Sequence, residues 1–273
     1  RQPAPLTGRR TKPTISPDMA KARWLRLSLA AVALLASAPS LALAQRNQPI
    51  YPAYDGFIRN ADGSYTVAFA YFSHNAEVIT IASGADNAFA PAPGDRQQPT
   101  TFRPGHHRFQ CVMVVGPDFD GRLRWTLVHA GTTTGTSERM LQSNWNLVEG
   151  AAQLRRIDFA KAPRGVCLNQ APEVTTLGPR GVRGAPPVLD ATLGETVNLF
   201  GSVHDEGLPR SGALVVGWKA LSGPGTVAFS NPVAARTRAT FTGPGTYQLE
   251  LTASDGEFSA STRIDVVVGT RAP

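Results

Sequence analysis

Tyr65, Val67, Phe69 and Tyr71 alternate with Thr66, Ala68 and Ala70. Period two is the signature of a strand with one buried face. Just upstream, Asn60-Ala61-Asp62-Gly63 supplies a hairpin turn, because glycine after aspartate accepts positive φ. The same alternation predicts strands at 77–81, 108–115 and 122–129, where Leu123, Trp125 and Leu127 face one way and Arg122, Arg124 and Thr126 the other. Residues 84–105 read as a long loop rich in Pro and Gly, of a length that is usually functional or pinned to a surface. Further strands are predicted at 196–201, 214–220, 226–230, 238–242, 246–253 and 262–268, with turn-forming residues between them at sandwich spacing. No stretch of about twelve residues has helical periodicity, and 150–157 is the best short candidate.

The pattern predicts an all-β chain of two β-sandwich modules: an N-terminal β module at 45–149, a linker at 150–170 and a second sandwich at 171–268. The 22 Pro and 26 Gly among 273 residues agree with a turn-rich fold.

The formal charge of +7 invites a nucleic-acid reading, but its distribution removes it. Residues 1–44 carry seven Lys/Arg and one acid, which leaves 20 Lys/Arg against 19 acids in the remainder. Phosphate binding needs a basic surface on the folded part, so no nucleic-acid partner is expected. The basic leader has its own organisation. Met19 is followed by Lys21, Arg23 and Arg26, then an apolar run at 27–36, then Ala42-Leu43-Ala44 before Gln45. This is the layout of a cleaved signal peptide at 19–44, with 1–18 as an upstream disordered segment. A secreted or periplasmic location follows, with no membrane span after cleavage.

Cys111 and Cys167 both fall in the exported part. An even count in an oxidising compartment favours a disulfide, and Cys111 in a strand face is alternatively a plain buried thiol.

The segments "NQAPEV", "LFGSVHDEGLP", "GWKALSGPGTVAFSNP", "ATFTGPGTYQLELTASDGE" and "RIDVVV" occur in that order over about 100 residues and resemble a PKD-type immunoglobulin-like domain. The resemblance implies a sandwich of about seven strands, built here without an internal disulfide, since Tyr-x-Leu stands where antibody domains have Tyr-x-Cys. The first module, through "GFIRNADGSYTVAFAYFSHN", "DNAFAP" and "DRQQPTTFRPG", resembles an exported bacterial domain of unassigned function.

Candidate chemistry is sparse. There is no Gly-x-Ser-x-Gly elbow, and His74, His106, His107, His129 and His204 are scattered. Both Gly-Pro-Gly-Thr stretches, at 223–226 and 243–246, lead into strands and lack a following Lys-Ser or Lys-Thr, so they are turns and not phosphate loops. In immunoglobulin-like topology the loops carrying Asp205, Glu206, Asp255 and Glu257 share one end, which suits a calcium ion; the competing reading is Asx turns onto Gly207 and Gly256. In the 84–105 loop, Asp86, Asn87, Asp95 and Arg96 are candidate ligand-binding residues, set against plain loop packing. Of the aromatics Tyr51, Tyr54, Phe57, Tyr65, Phe69, Tyr71 and Phe72, alternation sends at least half to the core; exposed ones suit stacking on sugar rings. The reading is a non-catalytic exported binding or spacer protein that contacts an extracellular protein or polysaccharide. The alternatives are a small envelope hydrolase using carboxylates of the 84–105 loop and a structural envelope component.

Overall fold

The computed structural model describes residues 47–136, 140–147, 157–177 and 186–270. Both the expected signal peptide and most of the short helical candidate at 150–157 lie outside them. Among the described residues no helix is long and apolar enough to cross a membrane.

In the first module, β1 (Ile50–Arg59), β2 (Tyr65–Ser73) and β6 (Gly105–Val115) form an antiparallel sheet in the order β1-β2-β6. The β1–β2 turn closes as its sequence requires. Gly63 sits at φ +83° and donates to Asn60 O at 3.0 Å, and Ser64 N donates to Asp62 Oδ1. A second sheet, in the order β4-β7-β8, comprises β4 (Asn87–Ala90), β7 (Arg124–His129) and β8 (Thr132–Gly135). A short ladder joins β3 (Ile79–Thr80) to β5 (Thr101–Phe102). The core between the sheets is aromatic: Phe69 lies 5.1 Å from Phe89 edge-on, and Phe89 stacks on Trp125 at 5.8 Å. The 84–105 segment is therefore not a loop throughout. It contributes β4 and β5, because Phe89 and Phe102 each bury an aromatic ring in this core.

Both β1–β2 and β2–β6 shift register, between Tyr54 and Gly56 and between Phe69 and Tyr71. Asp55 clamps the irregularity. It is buried, accepts from Phe109 N at 2.6 Å and from Arg108 Nε at 2.7 Å, and so holds Phe109 at φ +57°.

The described part of the expected linker, 157–170, packs on this module. Residues 163–168 run beside β6, with Val114 N donating to Pro163 O, Gly165 N to Val114 O and Leu168 N to Val112 O. The Cys111–Cys167 disulfide fixes that alignment. Leu147, Phe159 and Leu168 cover Ala68, Phe109 and Val112 on the outer sheet face. The physical reason is twofold: β6 would otherwise expose an unpaired edge, and Phe109 would lie in solvent.

In the second module one sheet has the order β10-β16-β15-β12: β10 (Val188–Thr192), β16 (Ser259–Gly269), β15 (Gly245–Ser254) and β12 (Val215–Ser222). The other has the order β13-β14-β11-β9: β13 (Val227–Phe229), β14 (Arg236–Phe241), β11 (Val197–His204) and β9 (Glu173–Leu177). Only β10 and β16 pair in parallel; the other named ladders are antiparallel. Leu199, Trp218, Leu249, Leu251, Ile264 and Val266 fill the space between the sheets. Trp218 lies on the edge strand β12, where its indole N–H donates to Ala235 O at 3.0 Å and ties the sheets together. Tyr247 is wholly buried, yet its hydroxyl donates to Gly243 O at 2.8 Å and accepts from Gly243 N at 3.1 Å. A Cβ on Gly223 would fall 2.1 Å from the Tyr247 ring. The two Gly-Pro-Gly-Thr turns thus enclose one tyrosine, and glycine is needed for that approach.

Candidate functional site

The modules meet through the 205–210 turn of the sandwich. Leu208 is 2% exposed and belongs to the core of the first module, not of its own. Around it, Thr100 N and Thr101 N donate to Glu206 O, and the Thr101 hydroxyl donates to Asp205 O. Gln170 Nε2 donates to Phe109 O. Arg210 pairs with Asp95 at 2.8 Å, and Arg103 pairs with Glu173 at 2.6 Å. The joint therefore has an apolar peg, backbone hydrogen bonds and two ion pairs.

The four acids expected to bind calcium lie at this joint, and their oxygens are largely committed. Asp205 Oδ1 accepts from Gly207 N at 2.8 Å, and Asp255 Oδ1 accepts from Glu257 N and Phe258 N, which are Asx turns. Asn169 Nδ2 donates to Asp255 Oδ2 and to Glu257 Oε2. Gln170 N donates to Glu206 Oε1 at 2.7 Å. Among the described residues no group of three or more His, Cys, Asp or Glu side chains is arranged to hold a metal. Two oxygens are left over: Asp205 Oδ2 and Asn169 Oδ1 are buried without a hydrogen-bond partner. Burial, reinforced by Asp255, pushes the Asp205 carboxyl up, and burial takes Glu206 to about 8. Nearby, burial and the Arg103 charge lower His204 to about 4.

The candidate ligand residues of the 84–105 segment are mostly structural. Asn87 is fully buried; its Nδ2 donates to Ile81 O and Pro99 O, and its Oδ1 accepts from Trp125 Nε1. It has no group left for a ligand, because β4 turns its side chain into the core. Asp95 is taken up by Arg210 and by Gln97 N. Arg96 donates to Gly165 O at 3.0 Å and more weakly to Pro91 O and Ala92 O. Asp86 is exposed, and its carbonyl accepts from Val128 N.

A surface that sequence reasoning only half identified lies on the outer face of the β1-β2-β6 sheet. Tyr51, Phe72 and His106 are register partners across three strands and share one face. His74 packs on Phe72 with ring centroids 4.5 Å apart and lies 6.1 Å from Tyr51. Tyr51 is 44% exposed, and His74 and His106 are exposed. Leu147, Phe159 and Leu168 cover the other end of this face, over Ala68, Phe109 and Val112.

The chain is similar in part to several solved structures. It is similar to a nucleoside hydrolase-related hypothetical protein from Saccharophagus degradans associated with carbohydrate metabolism, at 20% identity and TM-score 0.31, covering 50% of this chain and 35% of that one. The chain thus spans about a third of that protein's length. It is similar to the PKD domain of the KIAA 1837 protein at 20% identity and TM-score 0.24, over 31% of this chain and 82% of that one. It is also similar to the fibronectin(III)-like modules of Clostridium thermocellum CbhA at 10% identity and TM-score 0.25, over 80% and 94%. No protein-family model matches. The strands and their pairing make this an all-β protein with an immunoglobulin-like sandwich.

Proposed function

We propose that this is an exported, non-catalytic binding protein whose first module contacts a glycan and whose PKD-like sandwich is a rigid spacer. One observation carries the glycan reading: the Tyr51–Phe72–His106 row, exposed at Tyr51 and His106 and half-buried at Phe72, with exposed His74 beside it, on a sheet face the chain covers elsewhere. Such rings are apolar on their faces and polar at their tips, which suits the faces and hydroxyls of a sugar. The joint at Leu208 supports the spacer role, since a buried peg resists independent motion of the modules. Export rests on the leader at 19–44 and agrees with the disulfide. The test is affinity electrophoresis of the full chain in neutral polysaccharides. Retardation by one of them that vanishes in the Tyr51→Ala/Phe72→Ala double variant, with the fold intact, is expected. Undiminished retardation of that variant would sink the reading.

A second reading concerns calcium, and the unpartnered Asp205 Oδ2 and Asn169 Oδ1 favour it. With Asp255 and Glu257 turned from Asn169 toward the ion, these residues would supply the hard oxygens calcium prefers; Glu206 is a poor ligand while its carboxyl is held by Gln170 N. The expected result is a rise in Tm with millimolar calcium, reversed by EDTA and absent in Asp205→Asn. An unchanged Tm would remove calcium.

A further inference from the structure

A cleft of about 560 Å³ opens on the first module between the 114–123 segment, Pro91 and residues 164–165. That is within the usual range for a small-ligand site, roughly 300–1,000 Å³. Arg96, Arg122 and Arg164 line it, together with Phe119, Asp118 and Asp120. Its lining includes none of the aromatic-row residues.

The three arginines are not equivalent. Arg164 pairs with Asp62 at 2.9 Å and Arg122 with Asp120 at 3.8 Å, and all four side chains are more than half exposed. Exposed pairs of this kind are worth little, so either guanidinium can turn to a ligand at small cost. Arg96 has no carboxylate partner among the described residues. Its guanidinium is held by three backbone carbonyls, and its Nε is buried and unpartnered. A partly desolvated cation satisfied only by neutral acceptors leaves positive charge for an incoming anion.

The acids narrow the choice of anion. Asp118 and Asp120 flank Phe119 on the same turn, and their charges oppose a dense anion such as phosphate or sulfate. They are also acceptors for hydroxyl groups. A ligand with one carboxylate, several hydroxyl donors and an apolar ring face satisfies the whole lining: carboxylate to the guanidinium group, hydroxyls to the aspartates, ring face to half-buried Phe119. We infer that this cleft binds a carboxylate-bearing sugar, a uronic-acid residue of an acidic polysaccharide. The inference rests on the glycan-contact reading above but uses a separate site.

The experiment is calorimetric titration of the full chain with trigalacturonate, with a neutral galacto-oligosaccharide and inorganic phosphate as comparisons. Expected is saturable binding of trigalacturonate, weakened about tenfold or more in Arg164→Glu and in Arg122→Glu and weakened by salt, with Tm unchanged in both variants. Phe119→Ala is expected to weaken it also. No binding, binding indifferent to both charge reversals, or phosphate bound as tightly would overturn the inference. Loss of neutral-polysaccharide retardation in the Tyr51→Ala/Phe72→Ala variant, with no trigalacturonate binding to the parent chain, would leave the aromatic-row reading standing and remove this one alone.

Discussion

The indole N–H of Trp125 donates to Asn87 Oδ1 at 2.9 Å, and both residues are fully buried. One amide thus satisfies a tryptophan on β7 and two carbonyls of the chain that wraps it, Ile81 O and Pro99 O. Asn87→Leu removes all three partners at once. Each unsatisfied buried group costs about 1–3 kcal/mol, so a loss of at least ~3 kcal/mol is expected in urea denaturation. A loss under about 1 kcal/mol would mean that water replaces the amide.

The disulfide closes a separation of 56 residues and fastens the 157–170 segment to β6. Loop-closure entropy predicts a loss of about 4 kcal/mol in the Cys111→Ser/Cys167→Ser variant. The check is the denaturation midpoint with and without reductant. Reductant should shift the parent protein and leave the variant unmoved.

Leu208 belongs by sequence to the sandwich and by packing to the first module. Leu208→Ala should therefore destabilise the first module by about 2–5 kcal/mol, the range for emptying a buried leucine site. Following Trp125 and Trp218 separately by single-tryptophan fluorescence distinguishes the modules. A loss confined to the Trp218 module would contradict the assignment.

Glu206 makes the joint sensitive to pH in the metal-free protein. Burial raises its carboxyl from 4.5 to about 8, so the folded state keeps a proton the unfolded state releases. Its contribution is complete below about 4.5 and is lost as pH rises through about 8. His204 has the opposite sign: lowered from 6.5 to about 4, it costs stability as pH falls through that interval. Above about pH 7.5 His204 is almost wholly neutral in both states, so the decline between there and about pH 8 belongs to the buried carboxyls, Glu206 foremost. Glu206→Gln keeps an acceptor for Gln170 N and should flatten that decline in EDTA. An equal slope in the variant would rule Glu206 out as its source.

What the sequence determined by itself was local. Alternation at Tyr65, Val67, Phe69 and Tyr71 specifies a strand because side chains on a pleated strand must go to opposite faces, and Asp62-Gly63 specifies its turn through backbone sterics. The ordered run of motifs from Asn169 to Val268 carried the sandwich. Strands β9 and β10 escaped, since each is only five residues long and only half-buries its core contacts, Val174 in one and Leu189 and Ala191 in the other. Asn87 read as a loop donor because nothing in its neighbours reveals that Trp125, 38 residues on, needs an acceptor. Leu208 was silent for the same reason. Polar character and hydrophobicity are properties of a residue, whereas burial and partnership are properties of what the rest of the chain brings to it. Only the tertiary structure decided that the Tyr51 and His106 rings would stay exposed beside half-buried Phe72 while Phe109, three residues from His106, was sealed beneath Phe159.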